Sequence, residues 1–290
     1  MKTRELYNLT VRRFHRVGIP DADFETELLL RFFLDLDRVG LFLDECELSG
    51  TQLEKFEELV SRRLAREPLS YIIGRHEFWS LSFEVAPDVL IPRPETALLI
   101  ESLLELIETP SDFNGTILDL GTGSGIIAVV LALELPQAQV VAVDRSERAL
   151  AVAARNLKQH GVAGRVSLVQ GDWFLPLQPR AKFDFIVSNP PYVSERIRSS
   201  LQPELEFEPE SALYAGDDGM EAYRRIIPSS RPHLNDGGAL LLEIGYDQEK
   251  MIQNLFSDIA ELELIAIKKD FNGHPRVALA RTVDGTTVRR

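Results

Sequence analysis

TILDLGTGSGIIA, residues 116–128, decides the fold of this chain of 290 residues. A short apolar run leads directly into three glycines at alternate positions, and a helix-forming run follows. A strand, a tight turn and a helix in this order begin a parallel β-α-β unit. Gly121, Gly123 and Gly125 let the backbone approach a ligand, because they carry no Cβ. Such a loop lies outside the carboxyl ends of the strands, where open α/β sheets bind ligands.

The same alternation of strand and helix continues to the end of the chain. The predicted strands are rich in Val, Ile and Leu, which indicates a mostly parallel sheet covered by helices on both faces. The last two are close enough in sequence to form an antiparallel pair. The predicted strands are TILDL (116–120), QVVAVD (139–144), RVSLVQ (165–170), FDFIVS (183–188), GALLLEIG (238–245), ELIAIKK (263–269) and RVALART (276–282). The predicted helices are TALLIESLLELIE (96–108), IIAVVLALEL (126–135) and ERALAVAARNLKQH (147–160).

The first part of the chain has the spacing of amphipathic helices instead. In DADFETELLLRFFLDL, Asp21 or Asp23 is a candidate N-cap. Apolar residues four positions apart then predict one stripe that faces the core. This stripe consists of Phe24, Leu28, Phe32 and Leu36.

A further helix is predicted for TQLEKFEELVSRRLA, where Thr51 and Glu54 have the spacing of a capping box and Pro68 ends the helix. The pattern then changes. EFWSLSFEVAP alternates like a hairpin, and LIPRPET is a linker stiffened by two prolines. We therefore predict a helical domain over residues 1–75, a hairpin and linker over 76–95, and an α/β domain over 96–290.

The composition argues against several classes of protein. The longest apolar run has ten residues, too few to span a bilayer, and the N-terminus has no apolar core of signal-peptide length. Cys46 is the single cysteine, which fits a reducing compartment such as the cytoplasm. The five histidines are far apart, so no metal site is expected. A net charge of −13 argues against nucleic-acid binding, although Arg196 and Arg198 could form a local basic patch.

Details of the glycine loop limit the classes of ligand that it could bind. The third glycine of a dinucleotide fingerprint would fall at Ile126, and the Gly-Lys-Ser/Thr of a P-loop is absent. Asp144 ends the second predicted strand, where its carboxylate can accept hydrogen bonds from both hydroxyls of a ribose. This combination is similar to the S-adenosylmethionine site of Rossmann-like methyltransferases. The loop that would hold the cofactor consists of Gly121, Thr122, Gly123, Ser124 and Gly125.

GDWF follows the third predicted strand and supplies two further candidates. Asp172 could accept a hydrogen bond from an adenine amino group, and Trp173 could cover the purine face. The alternative is an aspartate in a turn beside a core tryptophan.

SNPPYVSE, residues 188–195, follows the fourth predicted strand. The side-chain carbonyl of Asn189 and the backbone carbonyl of Pro190 could hold both hydrogens of a planar NH2 group. They would thereby favour pyramidalisation, which frees the nitrogen lone pair for attack on a methyl group. Pro191 helps to stiffen the loop, and Tyr192 offers a flat wall. The pattern indicates methylation of a planar nitrogen and leaves adenine, an RNA base and glutamine open.

Together these motifs resemble the peptide chain release factor glutamine methyltransferases (HemK/PrmC-type). The likeness runs almost end to end and includes YIIGRHEFWSLSFEV, LIPRPET, DLGTGSGIIA, VDRSERALAVAARN, GDWF, VSNPPYV, FEPESALYAGDDGMEAYRRII, GGALLLEIG and FNGHPRVALA. One departure is Ala97, where relatives often carry an acid after PRPET; a small effect is expected. The PRPET segment could cap the site or only link the domains.

The resemblance implies a small helical domain followed by a seven-stranded class I methyltransferase domain. It also implies a substrate, the glutamine of the Gly-Gly-Gln loop in class 1 release factors, and S-adenosylmethionine as the cofactor. By the same likeness, the glycine loop, Asp144, Trp173 and Asn189 would bind the cofactor. Asn189, Pro190, Pro191 and Tyr192 would hold the substrate amide, and the N-terminal helices would contact the release factor.

Three alternatives remain at this point. A sister enzyme that methylates a glutamine of a ribosomal protein shares the glycine loop and NPPY. A DNA or RNA adenine methyltransferase fits NPPY but not the acidic charge balance. A protein that only binds the cofactor would have no need of Asn189 and the two prolines.

Overall fold

The structure is a computed structural model, and it describes residues 1–43 and 47–283. Cys46, from which a reducing compartment was predicted, lies outside the described residues. The chain divides into two compact units. The first, called the helical unit, comprises Met1–Arg75 and Gln202–Phe207, and the second, called the sheet unit, comprises His76–Leu201 and the chain from Glu208 onward.

The helical unit is held together by a small apolar core. Phe14, Leu29 and Phe56 are fully buried there, and the ring of Phe33 packs edge-on against Phe56 at 5.3 Å between centroids. Burial of this kind supplies most of the stability of short helices. The helices are α1 (Thr3–Arg16), α2 (Ala22–Leu34), α3 (Arg38–Leu43), α4 (Gly50–Leu64) and α5 (Leu69–Ile73).

The buried face predicted for α2 was wrong. Phe24 and Phe32 of the predicted stripe are 60% and 46% exposed, whereas Leu29 and Leu30 are fully buried. The run LLLRFFL is apolar around nearly the whole helix, so a spacing of four residues does not single out one face. Contacts of α2 with α1, α3 and α5 decide which residues are buried.

The predicted capping box of α4 was also wrong, by one half-turn. Ser49 precedes α4, its Oγ accepts a hydrogen bond from the Gln52 amide at 3.3 Å, and Gln52 Oε1 accepts one from the Ser49 amide at 3.0 Å. Thr51 and Glu54 therefore lie inside the helix. An extended Ser followed three residues later by Gln forms the same reciprocal box.

The sheet unit contains a hairpin and a seven-stranded sheet. The hairpin turns at Trp79 and Ser80, whose φ angles of 56° and 55° are those of a type I′ turn. The strands are β1 (Arg75–Phe78), β2 (Leu81–Glu84), β3 (Thr116–Leu120), β4 (Gln139–Asp144), β5 (Val166–Gln170), β6 (Phe183–Ser188), β7 (Leu234–Glu243), β8 (Leu262–Lys269) and β9 (Pro275–Thr282). The helices are α6 (Thr96–Leu104), α7 (Ile126–Glu134), α8 (Glu147–Gln159), α9 (Glu210–Leu213), α10 (Glu221–Ser230) and α11 (Glu249–Ser257). Short 3₁₀ turns occupy Pro110–Asp112, Glu195–Ser200 and Arg231–His233 in this unit and Pro203–Phe207 in the helical unit.

The large sheet confirms the predicted Rossmann-like α/β fold. Its strand order is β5-β4-β3-β6-β7-β9-β8, with β9 antiparallel to both β7 and β8 and the other pairs parallel. Alternate residues of β3 enter opposite layers: Ile117 packs in the cluster that contains α7, and Leu118 in the cluster that contains α10. The chain leaves β3 toward β4 on one side, and β6 lies on the other. This switch point opens a crevice at the carboxyl ends of the strands.

No helix within residues 1–43 and 47–283 has both the length and the apolar character needed to cross a bilayer.

Candidate active site

A cavity of about 190 Å³ lies beyond the carboxyl ends of β3, β4, β5 and β6. It brings together most of the residues that the sequence singled out. Those that line it are Gly121, Thr122, Gly123, Ser124, Asp144, Asp172, Trp173, Asn189 and Pro191. Three others lie next to lining residues in the chain without lining the cavity themselves: Gly125, Pro190 and Tyr192.

Two backbone amides hold the carboxylate of Asp144 in place. Its Oδ2 accepts a hydrogen bond from the Gly123 amide at 2.9 Å, and its Oδ1 accepts one from the Ser146 amide at 2.9 Å. The loop is tied to β4 as well, because the amides of Gly121 and Thr122 both donate to the Val143 carbonyl. Each carboxylate oxygen keeps a further lone pair, so the group can still accept from a ligand.

Gly125 has a packing role. Its φ is +82°, and a Cβ at this position would lie 3.1 Å from the Cβ of Ala153 on α8. The absence of a side chain therefore lets α7 and α8 approach each other at the start of α7.

Asp119 is a buried acid below the glycine loop that the sequence interpretation did not single out. Its Oδ2 accepts a hydrogen bond from the Thr122 hydroxyl at 2.6 Å. Burial raises the pKa of Asp119 to about 7, and the Thr122 hydroxyl opposes this rise. A charged residue inside the apolar strand TILDL was the available signal.

Asp172 and Trp173 of GDWF both line the cavity. Asp172 forms an ion pair with Arg225, which also lines the cavity. Trp173 has a φ of 52°, and its indole lies over the loop, since a Cβ at Gly121 would be 3.5 Å from the ring. The aromatic face is thus next to the glycine loop, and part of the accepting capacity of Asp172 is engaged by an arginine.

Asn189 is held at the junction of β6 and β3. The Ser188 hydroxyl donates to the Leu120 carbonyl at 2.6 Å and so joins the ends of the two strands. The Asn189 Nδ2 donates to Thr96 Oγ1 at 3.0 Å. Because the NH2 end of the carboxamide is engaged in this way, its Oδ1 is left as an acceptor.

A buried carboxylate lies behind this corner. Glu243, at the end of β7, accepts from the Thr96 hydroxyl through Oε2 at 2.7 Å and from the Tyr192 hydroxyl through Oε1 at 3.3 Å. Burial raises the pKa of Glu243 to about 7, and the two hydroxyl groups oppose this rise. Burial, followed by the charge of Glu243, raises the pKa of the Tyr192 phenol. The Glu in the apolar strand GALLLEIG was the signal for this site, and neither Glu243 nor Thr96 was predicted.

The LIPRPET segment is part of the cavity wall. Leu90, Pro92, Arg93 and Thr96 all line the cavity. Its position is fixed by the buried Glu208, which accepts from the Ile91 amide at 3.1 Å and from Arg93 Nη2 at 2.6 Å. Ala97, the one departure from the family pattern, packs partly buried against the core.

The two arginines beyond NPPY are neutralised. Arg196 pairs with Asp217, and Arg198 pairs with Glu210 and lies 5.1 Å from the centre of the Tyr214 ring. The basic patch considered from the sequence is therefore balanced by acids.

The cavity fits a nucleoside better than a phosphate group. A fixed carboxylate at the end of β4 matches the hydroxyls of a ribose, and an indole beside the glycine loop matches a purine face. Of the three arginines that line the cavity, Arg93, Arg145 and Arg225, the first and the last are paired with acids. Within residues 1–43 and 47–283, no cluster of His, Cys, Asp or Glu is placed to hold a metal ion.

Two family models match the chain. The PrmC N-terminal domain matches residues 5–74, and the methyltransferase small domain matches residues 94–205.

Two curated relatives are similar over almost their whole length. The release factor glutamine methyltransferase of Geobacter sulfurreducens is 43% identical over 91% of this chain and 91% of the relative. The protein of the same name from Coxiella burnetii is 42% identical over 89% of this chain and 91% of the relative.

Among solved structures, the hMettl16 catalytic domain in complex with a 3′UTR hairpin has a TM-score of 0.56. It is 19% identical and covers 80% of this chain and 84% of its own. This likeness shows a shared fold.

Proposed function

The chain belongs to the release factor glutamine methyltransferase family, and we propose that it methylates the side-chain amide nitrogen of the glutamine in the Gly-Gly-Gln loop of class 1 release factors. It is a methyltransferase, and S-adenosylmethionine is the proposed donor. The observation that carries the proposal is the orientation of Asn189. Its NH2 group donates to Thr96, which leaves its carbonyl oxygen as an acceptor at the cavity wall.

The glycine loop and Asp144 are proposed to hold the cofactor. The two backbone amides that fix the Asp144 carboxylate aim it without using its full accepting capacity, so it can bind both ribose hydroxyls. Trp173 covers the purine, and Asp172 is the proposed partner of the adenine amino group. When bound, S-adenosylmethionine supplies an electrophilic methyl group.

The NPPY corner is proposed to bind the substrate carboxamide. Asn189 Oδ1 and the Pro190 carbonyl each accept one hydrogen of the glutamine NH2 group. In the described part of the chain no hydrogen bond reaches the Pro190 carbonyl, whereas the Tyr192 carbonyl is occupied by Gln248 Nε2 at 3.0 Å. Pro191 stiffens the loop, and Tyr192 is fixed through its hydroxyl beside the bound amide.

These residues would promote the reaction by positioning the substrate amide. An amide nitrogen attacks poorly because its lone pair is delocalised, and two acceptors aimed at its hydrogens favour the pyramidal form. The substrate nitrogen held by Asn189 and the Pro190 carbonyl would then form a bond to the methyl carbon of S-adenosylmethionine as the sulfur–carbon bond breaks, and S-adenosylhomocysteine would leave. The methylated nitrogen then releases a proton to water. No strong base is needed, because the methylated cation is far more acidic than the amide.

The proposal is tested by peptide mass mapping of a class 1 release factor incubated with the protein and S-adenosylmethionine. We expect a mass increase of one methyl group on the peptide that contains Gly-Gly-Gln, and none on ribosomal proteins. Methylation of a ribosomal protein alone would support the sister activity. Transfer of labelled methyl to nucleic acid would support an adenine methyltransferase, although the net charge of −13 argues against it. Cofactor binding without transfer to any of these would contradict an enzyme.

A further inference from the structure

The carboxamide of Asn189 can be turned in two ways, and only one of them suits the proposed reaction. With Oδ1 available, the side chain accepts a hydrogen from the substrate amide. With Nδ2 in that place, it would oppose the substrate NH2 with another donor. Something in the protein must therefore choose the orientation.

The hydrogen bonds of the Thr96 hydroxyl fix this orientation. Its hydroxyl carries one hydrogen, and the nearest strong acceptor is Glu243 Oε2 at 2.7 Å. A hydroxyl that donates to a carboxylate has only lone pairs left for its other neighbour. That neighbour is Asn189, at 3.0 Å, so with Glu243 ionised the atom of Asn189 that faces Thr96 must be the donor Nδ2.

The same carboxylate controls the other end of the NPPY corner. Its second oxygen, Oε1, accepts from the Tyr192 hydroxyl at 3.3 Å. Glu243 itself is fully buried at the end of β7, where the Tyr223 hydroxyl donates to its backbone carbonyl at 3.0 Å. One rigid acid thus fixes a neighbour of Asn189 and the side chain of Tyr192.

We propose that Thr96 and Glu243 are positioning residues for methyl transfer, which act through Asn189 by fixing its carboxamide with Oδ1 turned toward the substrate amide. This inference rests on the proposed function and adds a role for the threonine of PRPET and for the acid of LLLEIG. Neither residue needs to touch the reacting atoms.

The kinetic test uses Thr96→Val, which keeps the shape of the side chain and removes its hydroxyl. We expect kcat for release factor methylation to fall about 10- to 100-fold, as for the loss of one oriented hydrogen-bonding group at a reacting centre. KM for S-adenosylmethionine should change less than about threefold. Thr96→Ser restores the hydroxyl and should recover most of the rate.

The matched control is Ser102→Ala on the same helix. Ser102 is fully buried, and its hydroxyl has no hydrogen-bond partner among the described residues. Its removal is an equivalent loss of a buried hydroxyl from α6 and should leave kcat unchanged.

A double-mutant cycle separates positioning from general damage. If Thr96 acts only through Asn189, adding Thr96→Val to Asn189→Ala should reduce kcat by less than about twofold further. If the fold losses in kcat of the two single variants multiply in the double variant, the inference is overturned. A wild-type kcat in Thr96→Val would overturn it as well.

A second readout does not depend on the substrate. In the cofactor-free protein of 290 residues, the side-chain NH2 signals of Asn189 are assigned by NMR from their loss in Asn189→Ala. Thr96→Val and Glu243→Gln should shift these signals and speed their exchange with water, whereas Ser102→Ala should not. Unchanged Asn189 signals in Thr96→Val would reject the inference, whatever the protein methylates. A wild-type protein that methylated no release factor would reject only the proposed function.

Discussion

The guanidinium of Arg93 lies 2.6 Å from the carboxylate of Glu208, which is only 5% exposed. The same carboxylate accepts a hydrogen bond from the Ile91 amide, so one acid holds the LIPRPET segment in place within the sheet unit. A buried acid with two donors is costly to remove, because its partners are left without an acceptor.

Glu208→Ala is therefore expected to lower the free energy of unfolding by about 3 kcal/mol. The control is Asp217→Ala, which breaks an ion pair with Arg196 in which both side chains are more than 70% exposed. That substitution should change the free energy of unfolding by less than about 0.5 kcal/mol, as for most surface ion pairs. Urea unfolding of the three proteins gives the comparison, and equal losses in the two variants would contradict the prediction.

Removal of the Asp144 carboxylate should weaken cofactor binding. Asp144→Ala removes the acceptor proposed for the two ribose hydroxyls, so Kd for S-adenosylmethionine should rise at least about 30-fold by calorimetry. An analogue without the ribose hydroxyls provides the control. It should bind wild type and variant with similar affinity, and a loss of the same size with this analogue would show that Asp144 acts only through the shape of the loop.

The sequence was informative where the chemistry depends on neighbouring residues in the chain. The glycine loop, the acid at the end of β4 and the NPPY corner each lie at the carboxyl end of a strand, and the alternation of strands and helices indicates a mostly parallel sheet whose carboxyl ends share one edge. These local motifs therefore predicted the fold, and most of the residues they singled out line the cavity.

What the sequence could not show depends on contacts between distant segments. Thr96 and Glu243 are 147 positions apart, and Ile91 and Glu208 are 117 apart. A buried acid in an apolar strand signals a partner but does not identify it. In the same way, the apolar helix α2 offered several possible faces, and only its packing selected Leu29 and Leu30.

The buried carboxyl of Asp119 should make stability depend on pH. Its folded-state pKa of about 7 lies above the ordinary value of 3.8, with burial as the largest cause and the charge of Asp144 acting in the same direction. The folded protein thus holds a proton that the unfolded chain releases. The resulting stabilisation is complete below the unfolded pKa and is lost as pH rises to about 7.

Asp119→Asn removes this group from the titration. The free energy of unfolding of the wild type, minus that of the variant, should therefore fall by about 2–3 kcal/mol between pH 5 and pH 8. Above pH 8 this difference should change little. Urea unfolding of the cofactor-free proteins at several pH values measures the difference. A difference that is constant across this range, or that grows with pH, would contradict the prediction.

Gly219 supports the NPPY corner from behind. Its φ is +71°, and a Cβ there would lie 2.3 Å from the Tyr192 carbonyl oxygen and 2.8 Å from Gln248 Nε2. Gln248 donates to the carbonyls of both Tyr192 and Gly219 and so fixes their separation. A side chain at Gly219 must displace backbone rather than a flexible side chain.

Gly161 provides a matched control for Gly219→Ala, because its φ is +70° and no atom lies within 4 Å of the position of its Cβ. Gly161→Ala should lower the free energy of unfolding by about 1 kcal/mol, because an alanine there is strained by the left-handed backbone alone. Gly219→Ala adds the overlap with Tyr192, which brings the loss of stability to about 2–4 kcal/mol. It should also lower kcat for methyl transfer, since Tyr192 and the preceding prolines must move together, whereas Gly161→Ala should leave kcat unchanged. Thermal unfolding and release factor methylation assays on the two variants decide this, and equal kcat values would show that the NPPY corner tolerates displacement.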